Sequence, residues 1–221
     1  MSLILNIDTA LDTAMISLAE DGNVLYSAQN AEQKDHAAWL HPSIEELMQH
    51  CGKSLPELVA IAVSIGPGSY TGLRVGLSAA KGICYALDIP LITVGTLEII
   101  AHSALNEAEE LVCPLIDARR DEVFTAIYDK NLAQKMEPLA MILHIKSFET
   151  VLDTQKVLFC GNAVKKTEAI VKHRNARYSY HPVSPSSLAS LSAKYLSNKR
   201  FTDIAYSEPL YIKEFYSSLR K

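Results

Sequence analysis

The chain has 221 residues, of which 48% are hydrophobic, enough for a substantial core in one large domain or two small ones. Its formal net charge of −4 argues against a protein that binds nucleic acid by itself, because phosphate binding normally depends on clustered Lys and Arg. The first residues lack the basic and long apolar segments of a signal peptide or membrane span, so we expect a cytoplasmic protein without membrane contact.

The first half begins with a pattern typical of a β-meander followed by a helix. Alternating apolar residues predict strands over Leu3–Asp8, Thr13–Ala19 and Val24–Ala28, with a turn between the last two. Apolar residues at helical spacing then predict a helix over His36–Cys51.

A glycine-rich loop, Gly66–Arg74, follows the apolar strand Val59–Ile65 and leads into another helix. Three glycines allow a tight turn whose free N–H groups suit an anion or the backbone of a partner chain. The loop is not a phosphate-binding P-loop, because Leu73 follows its last glycine where that motif needs Lys. Ser69 is expected to cap the helix rather than to act as a nucleophile.

The next elements continue the alternation of helices and strands. The predicted helix Leu73–Leu87 carries small residues, among them Gly76 and Gly82, that let a neighbouring helix approach closely. A buried strand is predicted over Pro90–Val94, and a helix capped by Thr96 is predicted to extend to Leu105.

The second half repeats the first in compressed form. Leu111–Asp117 ends an apolar strand with Asp as Leu3–Asp8 does, Val123–Tyr128 matches the second strand, and Lys156–Asn162 is a strand that enters a glycine turn. A late helix is predicted over Ser184–Lys199. The repeat predicts an α/β fold of two ribonuclease-H-like subdomains, residues 1–105 and 106–221, each with a mixed sheet and flanking helices.

Cysteine and histidine positions argue against a metal site. The four cysteines are far apart and three lie in apolar runs, so neither disulfides nor a thiolate zinc site is expected. His36 and His41 are five residues apart, about 140° around a helix, and cannot converge on one ion as histidines four apart do.

Several segments together resemble the bacterial TsaB (YeaZ) family over nearly the whole chain. They are the strand end Asp8-Thr9-Ala10, the glycine loop, Lys81-Gly82, Pro114–Val123 and Pro209-Leu210-Tyr211. The resemblance implies the fold of the actin-like/Hsp70-like ATPase superfamily (ASKHA).

The resemblance also implies a function in tRNA modification. Such proteins are non-catalytic subunits of the complex that transfers a threonylcarbamoyl group from threonylcarbamoyl-AMP to N6 of adenosine 37 in tRNAs reading ANN codons. The implied partners are the catalytic paralogue TsaD, which the subunit binds and supports, and the small ATPase TsaE. We expect contact with tRNA only through the complex, no cofactor, and a homodimer when the chain is alone.

Two further functions remain open from the residues. An ATP-dependent phosphotransferase of the same fold would use the strand-end aspartates, and a metallopeptidase would need a metal pair that this sequence lacks. Ala10 and Leu11 stand where kinases of this fold typically offer Gly and a polar residue for phosphate. We therefore predict no catalytic residue and a vestigial nucleotide site, comprising Asp8, Thr9, Gly66, Gly68 and Asp117. The alternative for Asp8 is an aspartate that only stabilises its own turn.

Two helices of the first half, His36–Cys51 and Leu73–Leu87, are predicted to bind the partner. The assigned interface residues are Trp39, Leu40, Ile44, Leu47, Leu73, Gly76, Ala80 and Ile83. Arg119 and Arg120 lie in a run of mixed charge that is either a solvated hairpin tip or a contact to tRNA or the partner.

Overall fold

The structure is a computed structural model that describes residues 1–32 and 35–213. The first half contains β1 (Leu3–Asp8), β2 (Ala14–Glu20), β3 (Asn23–Asn30), α1 (His36–His50), β4 (Ala60–Ser64), α2 (Tyr70–Leu87), β5 (Leu91–Val94) and α3 (Thr96–Ala104). The second half contains β6 (Leu111–Asp117), β7 (Glu122–Asp129), β8 (Gln134–Ile142), α4 (Glu149–Leu152), β9 (Val157–Cys160), α5 (Val164–Ile170), β10 (Ala176–Tyr178) and α6 (Pro185–Ser197).

Each half forms one five-stranded mixed sheet. The strand order is β3-β2-β1-β4-β5 in the first and β8-β7-β6-β9-β10 in the second. In both halves the second strand runs antiparallel to the first, and the third runs antiparallel to the second. The fourth strand lies parallel to the first, and the fifth lies parallel to the fourth. The equivalent order confirms the predicted duplication and the fold of two ribonuclease-H-like subdomains.

The first sheet is covered on both faces, because successive residues of β1 point to opposite sides and all are buried. Leu5 and Ile7 belong to an apolar cluster shared with α1 and α2. Ile4 belongs to a second cluster with Leu188 and Leu191 of α6. Helices α1 and α2 therefore form one outer layer of the protein, and α6 covers the opposite face of the same sheet.

The chain after β10 returns to the first sheet. Besides α6, the C-terminal strap (residues 202–213) lies there, with Thr202 N–H donating to Leu91 O at 2.9 Å and Leu210 N–H donating to Ile65 O at 2.7 Å. The sequence analysis placed this last part in the second subdomain, but the apolar side chains of α6 are buried against the first sheet and the strap is hydrogen-bonded to it. The boundary near residue 105 stays a prediction, and residues 214–221 lie outside the described residues.

Three of the four cysteines are buried free thiols, as their apolar surroundings predicted. Burial raises the pKa of Cys84 to about 11 and the pKa of Cys113 to about 12, so both stay protonated near neutral pH. Across the described ranges, none of the helices combines the length and apolar character that crossing a bilayer requires.

Candidate functional site

The glycine loop ends in a capped helix. Ser69 is the N-cap of α2, and its Oγ accepts a hydrogen bond from Gly72 N at 3.3 Å. This confirms the predicted role of Ser69, which satisfies one of the free donors of the first helical turn.

The loop lies directly against the turn that follows β1. Ser69 N–H donates to Ala10 O at 2.7 Å, and Thr9 Oγ1 donates to Gly72 O at 2.7 Å. A Cβ at Gly72 would lie 2.0 Å from Thr9 O, and one at Gly68 would lie 2.3 Å from Ala10 O. These two glycines are therefore required by a contact with the chain's own backbone, in the loop that was expected to suit an anion or the backbone of a partner chain.

Gly66, the first glycine of the loop, is held by two other segments. Its φ of +114° is in the region that favours glycine, and a Cβ there would lie 2.6 Å from Leu210 O of the C-terminal strap. Its N–H donates to Thr96 Oγ1 at 3.1 Å. The expectation that Thr96 caps α3 is wrong, because Gly95 is the N-cap and the Thr96 hydroxyl accepts from the loop instead.

Asp8, at the end of β1, is buried beneath this loop. Its carboxylate accepts hydrogen bonds from Ser64 Oγ at 2.6 Å and from Ala10 N at 3.1 Å. Burial raises the pKa of Asp8 above its ordinary range despite these two bonds. The adjoining cavity has a volume of about 10 Å³ and also borders Asn6, whose Oδ1 has no hydrogen-bond partner among the described residues. That volume suits one water molecule and is far too small for a phosphate group.

Asp117, the equivalent residue at the end of β6, has different surroundings. It is exposed, and its carboxylate accepts from Lys166 Nζ at 2.8 Å and from Arg119 N at 2.7 Å. Partial burial raises the pKa of Asp117, but the bonds to Lys166 and Arg119 outweigh this and lower it overall. Within residues 1–32 and 35–213, no hydrogen bond or ion pair joins Asp117 to Asp8. The structure thus brings Asp8, Thr9, Gly66 and Gly68 together, whereas Asp117 is bonded to Lys166 and to the turn that follows it.

The histidines of α1 point to different environments. His36 is buried, whereas His41 is exposed, as their five-residue spacing predicted. Among the residues that the structure describes, no three His, Cys, Asp or Glu side chains are grouped so as to hold a metal ion.

Most of the predicted partner-binding residues lie in the core of the chain itself. Buried members of this set are Leu40, Ile44, Leu47, Leu73, Gly76 and Ala80. A Cβ at Gly76 would lie 2.3 Å from Thr9 Oγ1, so this glycine serves internal packing. The interface assignment does not fit these six residues, because they are buried within the chain. Trp39 and Ile83 are only half-buried.

The outward faces of α1 and α2 instead form an open apolar groove, of which the sequence analysis had named only Ile83 as an interface residue and Gly82 as a small residue of the helix. Its volume is about 500 Å³, and its lining residues are Ala37, His41, Leu55, Val75, Ser78, Ala79, Gly82, Ile83, Ala86 and Leu87. Along α2 these residues recur at spacings of three and four from Val75 to Ala86, which is a second apolar stripe on the same helix. That second stripe is the sequence pattern from which the groove could have been predicted.

Comparison with known proteins agrees with this fold. The family model described as TsaD: tRNA N6-adenosine threonylcarbamoyltransferase matches residues 27–213. The tRNA threonylcarbamoyladenosine biosynthesis protein TsaB of Bacillus subtilis (strain 168) is 33% identical over 162 residues, which are 72% of this chain and 70% of that protein. The protein of the same name from Escherichia coli (strain K12) is 33% identical over 58% of this chain and 55% of its own length.

A solved structure extends the match to nearly the whole chain. The structure of YeaZ from Pseudomonas aeruginosa has a TM-score of 0.81 at 25% identity and covers 96% of this chain and 100% of that chain. A second structure from Pseudomonas aeruginosa, of an uncharacterized protein with similarity to peptidase YEAZ, has a TM-score of 0.84 at 24% identity and covers 96% of this chain and 100% of that one. The chain therefore belongs to the TsaB (YeaZ) family, within the broader family that the TsaD model describes.

Proposed function

We propose that this chain is a non-catalytic subunit in the formation of threonylcarbamoyladenosine at position 37 of tRNAs that read ANN codons. In this proposal it binds a TsaD-type catalytic paralogue through the outward faces of α1 and α2. A TsaE-type ATPase completes the cytoplasmic complex, tRNA is bound by the assembled complex, and the chain alone forms a homodimer through the same faces.

The α1–α2 groove is the observation that carries the proposal. It is open, mostly apolar and lined by small side chains, and the exposed Gly82 has no heavy atom within 4 Å of where its Cβ would lie. Such a surface lets helices of a partner approach closely and bury apolar area. Tyr85, on the same helix, is 83% exposed and offers a large side chain of the kind enriched at interfaces.

The state of Asp8 supports the non-catalytic part of the proposal. A phosphoryl-transfer site needs a carboxylate that reaches a metal-bound nucleotide. Asp8 is 3% exposed, is bonded to Ser64, and adjoins a cavity of about 10 Å³. The same carboxylate is well placed to stabilise its own turn through Ala10 N.

Substitution of Gly82 by Arg tests the proposal. Because Gly82 is exposed within α2, the variant gains helix propensity of about 1 kcal/mol and stays folded, while a long cation projects into the groove. We expect Gly82→Arg to weaken association with the TsaD homologue at least a hundredfold in calorimetry and to abolish tRNA modification in a reconstituted system.

The matched control is Ser190→Arg, which places the same side chain on the exposed surface of α6, across the sheet from the groove. We expect this control to bind and support modification as the wild type does. A folded Gly82→Arg variant with normal partner affinity would exclude the groove as the interface. A wild-type chain that fails to associate with the TsaD homologue would contradict the proposed function itself.

A further inference from the structure

The hairpin between β6 and β7 ends in two consecutive arginines with unusual backbone geometry. Arg119 has φ 70° and Arg120 has φ 51°, and both side chains are exposed. The turn is closed by Ala118 N–H donating to Glu122 O at 3.1 Å. Residues other than Gly, Asn and Asp adopt this left-handed region at a cost, so the arginines are not the types that favour the turn.

Lys166 of α5 holds the tip in place from behind. Its Nζ donates to Asp117 Oδ1 at 2.8 Å, to Arg120 O at 2.8 Å and to Glu122 O at 2.9 Å. The lysine thus stabilises the turn through two backbone carbonyls and at the same time neutralises Asp117.

The acidic side chains around the tip are already occupied. Asp117 is paired with Lys166, and Glu122 forms an ion pair with Lys213 of the C-terminal strap. The guanidinium groups of Arg119 and Arg120 make no hydrogen bond, ion pair or ring contact with any residue of the described ranges. The acid that remains beside them is Asp121. Although the chain has a net charge of −4, the tip therefore carries a local excess of positive charge on two exposed, unpaired guanidinium groups.

We propose that Arg119 and Arg120 bind phosphates of the tRNA backbone when the chain is part of the modification complex. The inference rests on the proposed function and adds a binding site to it. A guanidinium presents paired N–H donors that match phosphate oxygens, and two adjacent unpaired guanidinium groups suit successive phosphates of one strand.

An acidic protein surface is the competing partner, and the tip favours RNA over it. A protein interface of useful strength needs a buried apolar centre. Ile142, the cross-strand neighbour of Glu122, and Ile145 are exposed, and individually exposed aliphatic side chains are ordinary on a protein surface. Two phosphate contacts are also too few for RNA binding by the isolated chain, so the tip extends a surface supplied by the partner.

The test replaces Arg119 with Asn and Arg120 with Gly. Asn and Gly adopt the left-handed backbone more readily, so the double variant removes both charges while the melting temperature stays equal or rises. The assembled complex, built with wild-type or variant chain, is titrated with a tRNA that carries adenosine 37 over a series of salt concentrations. We expect the variant complex to bind about tenfold more weakly, with a salt dependence whose slope is smaller by about 1 to 2.

The matched control is Lys172→Asn combined with Lys199→Gly, which removes two positive charges elsewhere, one of them also from a left-handed position. The control complex should keep wild-type affinity and slope. Unchanged affinity and slope for the Asn/Gly variant would overturn the inference while the proposed function stands.

A second result would also overturn the inference. If the double variant fails to join the complex in the absence of tRNA, and Ile142→Asp fails in the same way, the tip contacts a protein rather than RNA. Failure of the wild-type chain to join the complex removes the proposed function and this inference together.

Discussion

The ends of β1 and β6 occupy equivalent positions in the two halves, and each carries an aspartate. Asp8 is buried, bonded to Ser64, and has a raised pKa because of its burial. Asp117 is exposed and bonded to Lys166, and its pKa is lowered overall. Duplication has thus kept the strand-end carboxylate in both places while giving it opposite electrostatic surroundings.

The neighbouring residues explain the difference. After β4, the loop with Gly68 and Gly72 lies directly on the turn that follows Asp8, while the Asp8 carboxylate accepts a hydrogen bond from Ser64 at the end of β4. After β9, Gly161 instead packs against Leu115 O, and α5 then brings Lys166 to Asp117. The strand order therefore fixes where the aspartates lie, whereas the loop and helix that follow the fourth strand decide their chemistry.

In each half a glycine packs directly against a backbone carbonyl oxygen of the neighbouring segment. Replacing either glycine should give the largest loss of stability. Gly72→Ala would place a Cβ 2.0 Å from Thr9 O, and Gly161→Ala would place one 2.3 Å from Leu115 O at a φ of +102°. In both variants the backbone must shift, because the atom that the new Cβ would meet is a carbonyl oxygen of the main chain. We expect each variant to lose about 3 kcal/mol of unfolding free energy, which is a fall of about 6 to 12 °C in melting temperature.

Gly82→Ala is the control for these variants, because nothing lies within 4 Å of its added Cβ. This exposed helical position should gain up to about 1 kcal/mol. A Gly72→Ala variant as stable as the wild type would show that the loop does not close tightly on the Thr9 turn.

Asp8→Asn should reveal the raised pKa of the buried carboxyl. Because the folded state binds its proton more tightly than the unfolded state, Asp8 favours folding below the unfolded pKa, near about 4, and loses that contribution as pH rises through the raised value. The variant does not titrate there. We therefore expect the unfolding free energy of Asp8→Asn, relative to wild type, to increase from pH 4 to pH 7 in urea titrations.

Comparing the difference in unfolding free energy at two pH values removes any pH-independent effect of replacing the carboxyl group with an amide. A difference that is flat, or that falls between pH 4 and pH 7, would mean that Asp8 is not desolvated in solution.

Asp117→Asn should show the opposite and smaller dependence. The lowered pKa means that Asp117 stabilises the fold above its unfolded pKa and loses this contribution as pH falls through the folded value. Since the Asp117 side chain is 46% exposed, we expect the variant to lose less than about 1 kcal/mol at pH 7 and still less near pH 2. An equal loss at both pH values in the same urea titrations would contradict the ion-pair account.

Periodicity and turn residues predicted most of the first half, because β1, β2 and β4 are buried and its turns and loops carry clear glycine and serine signals. The bounds of Leu3–Asp8 were predicted correctly, and the Ser69 cap was confirmed. Strand β8 was not predicted individually, because none of its residues is buried and no glycine turn of the kind that precedes β3 marks its start. Local sequence patterns do not predict that α6 packs on the first sheet, because this is a contact between distant parts of the chain.

The site was less predictable, for a reason visible in α2. This helix has apolar residues on two sides, and spacing alone does not tell which side faces the sheet. Ala80 and Gly76 were assigned to the partner surface, but they face the sheet, while Gly82 and Val75 line the groove. The buried bond between Asp8 and Ser64 likewise joins residues 56 positions apart in the sequence.

Titration of the purified chain with ATP and magnesium, followed by calorimetry and by phosphate release, tests the central claim most directly. The claim is that the two strand-end aspartates no longer form a nucleotide site, because Asp8 is closed off and Asp117 is held by Lys166. We predict no binding heat above dilution and hydrolysis no faster than buffer. Magnesium-dependent turnover that Asp8→Asn abolishes would contradict the account.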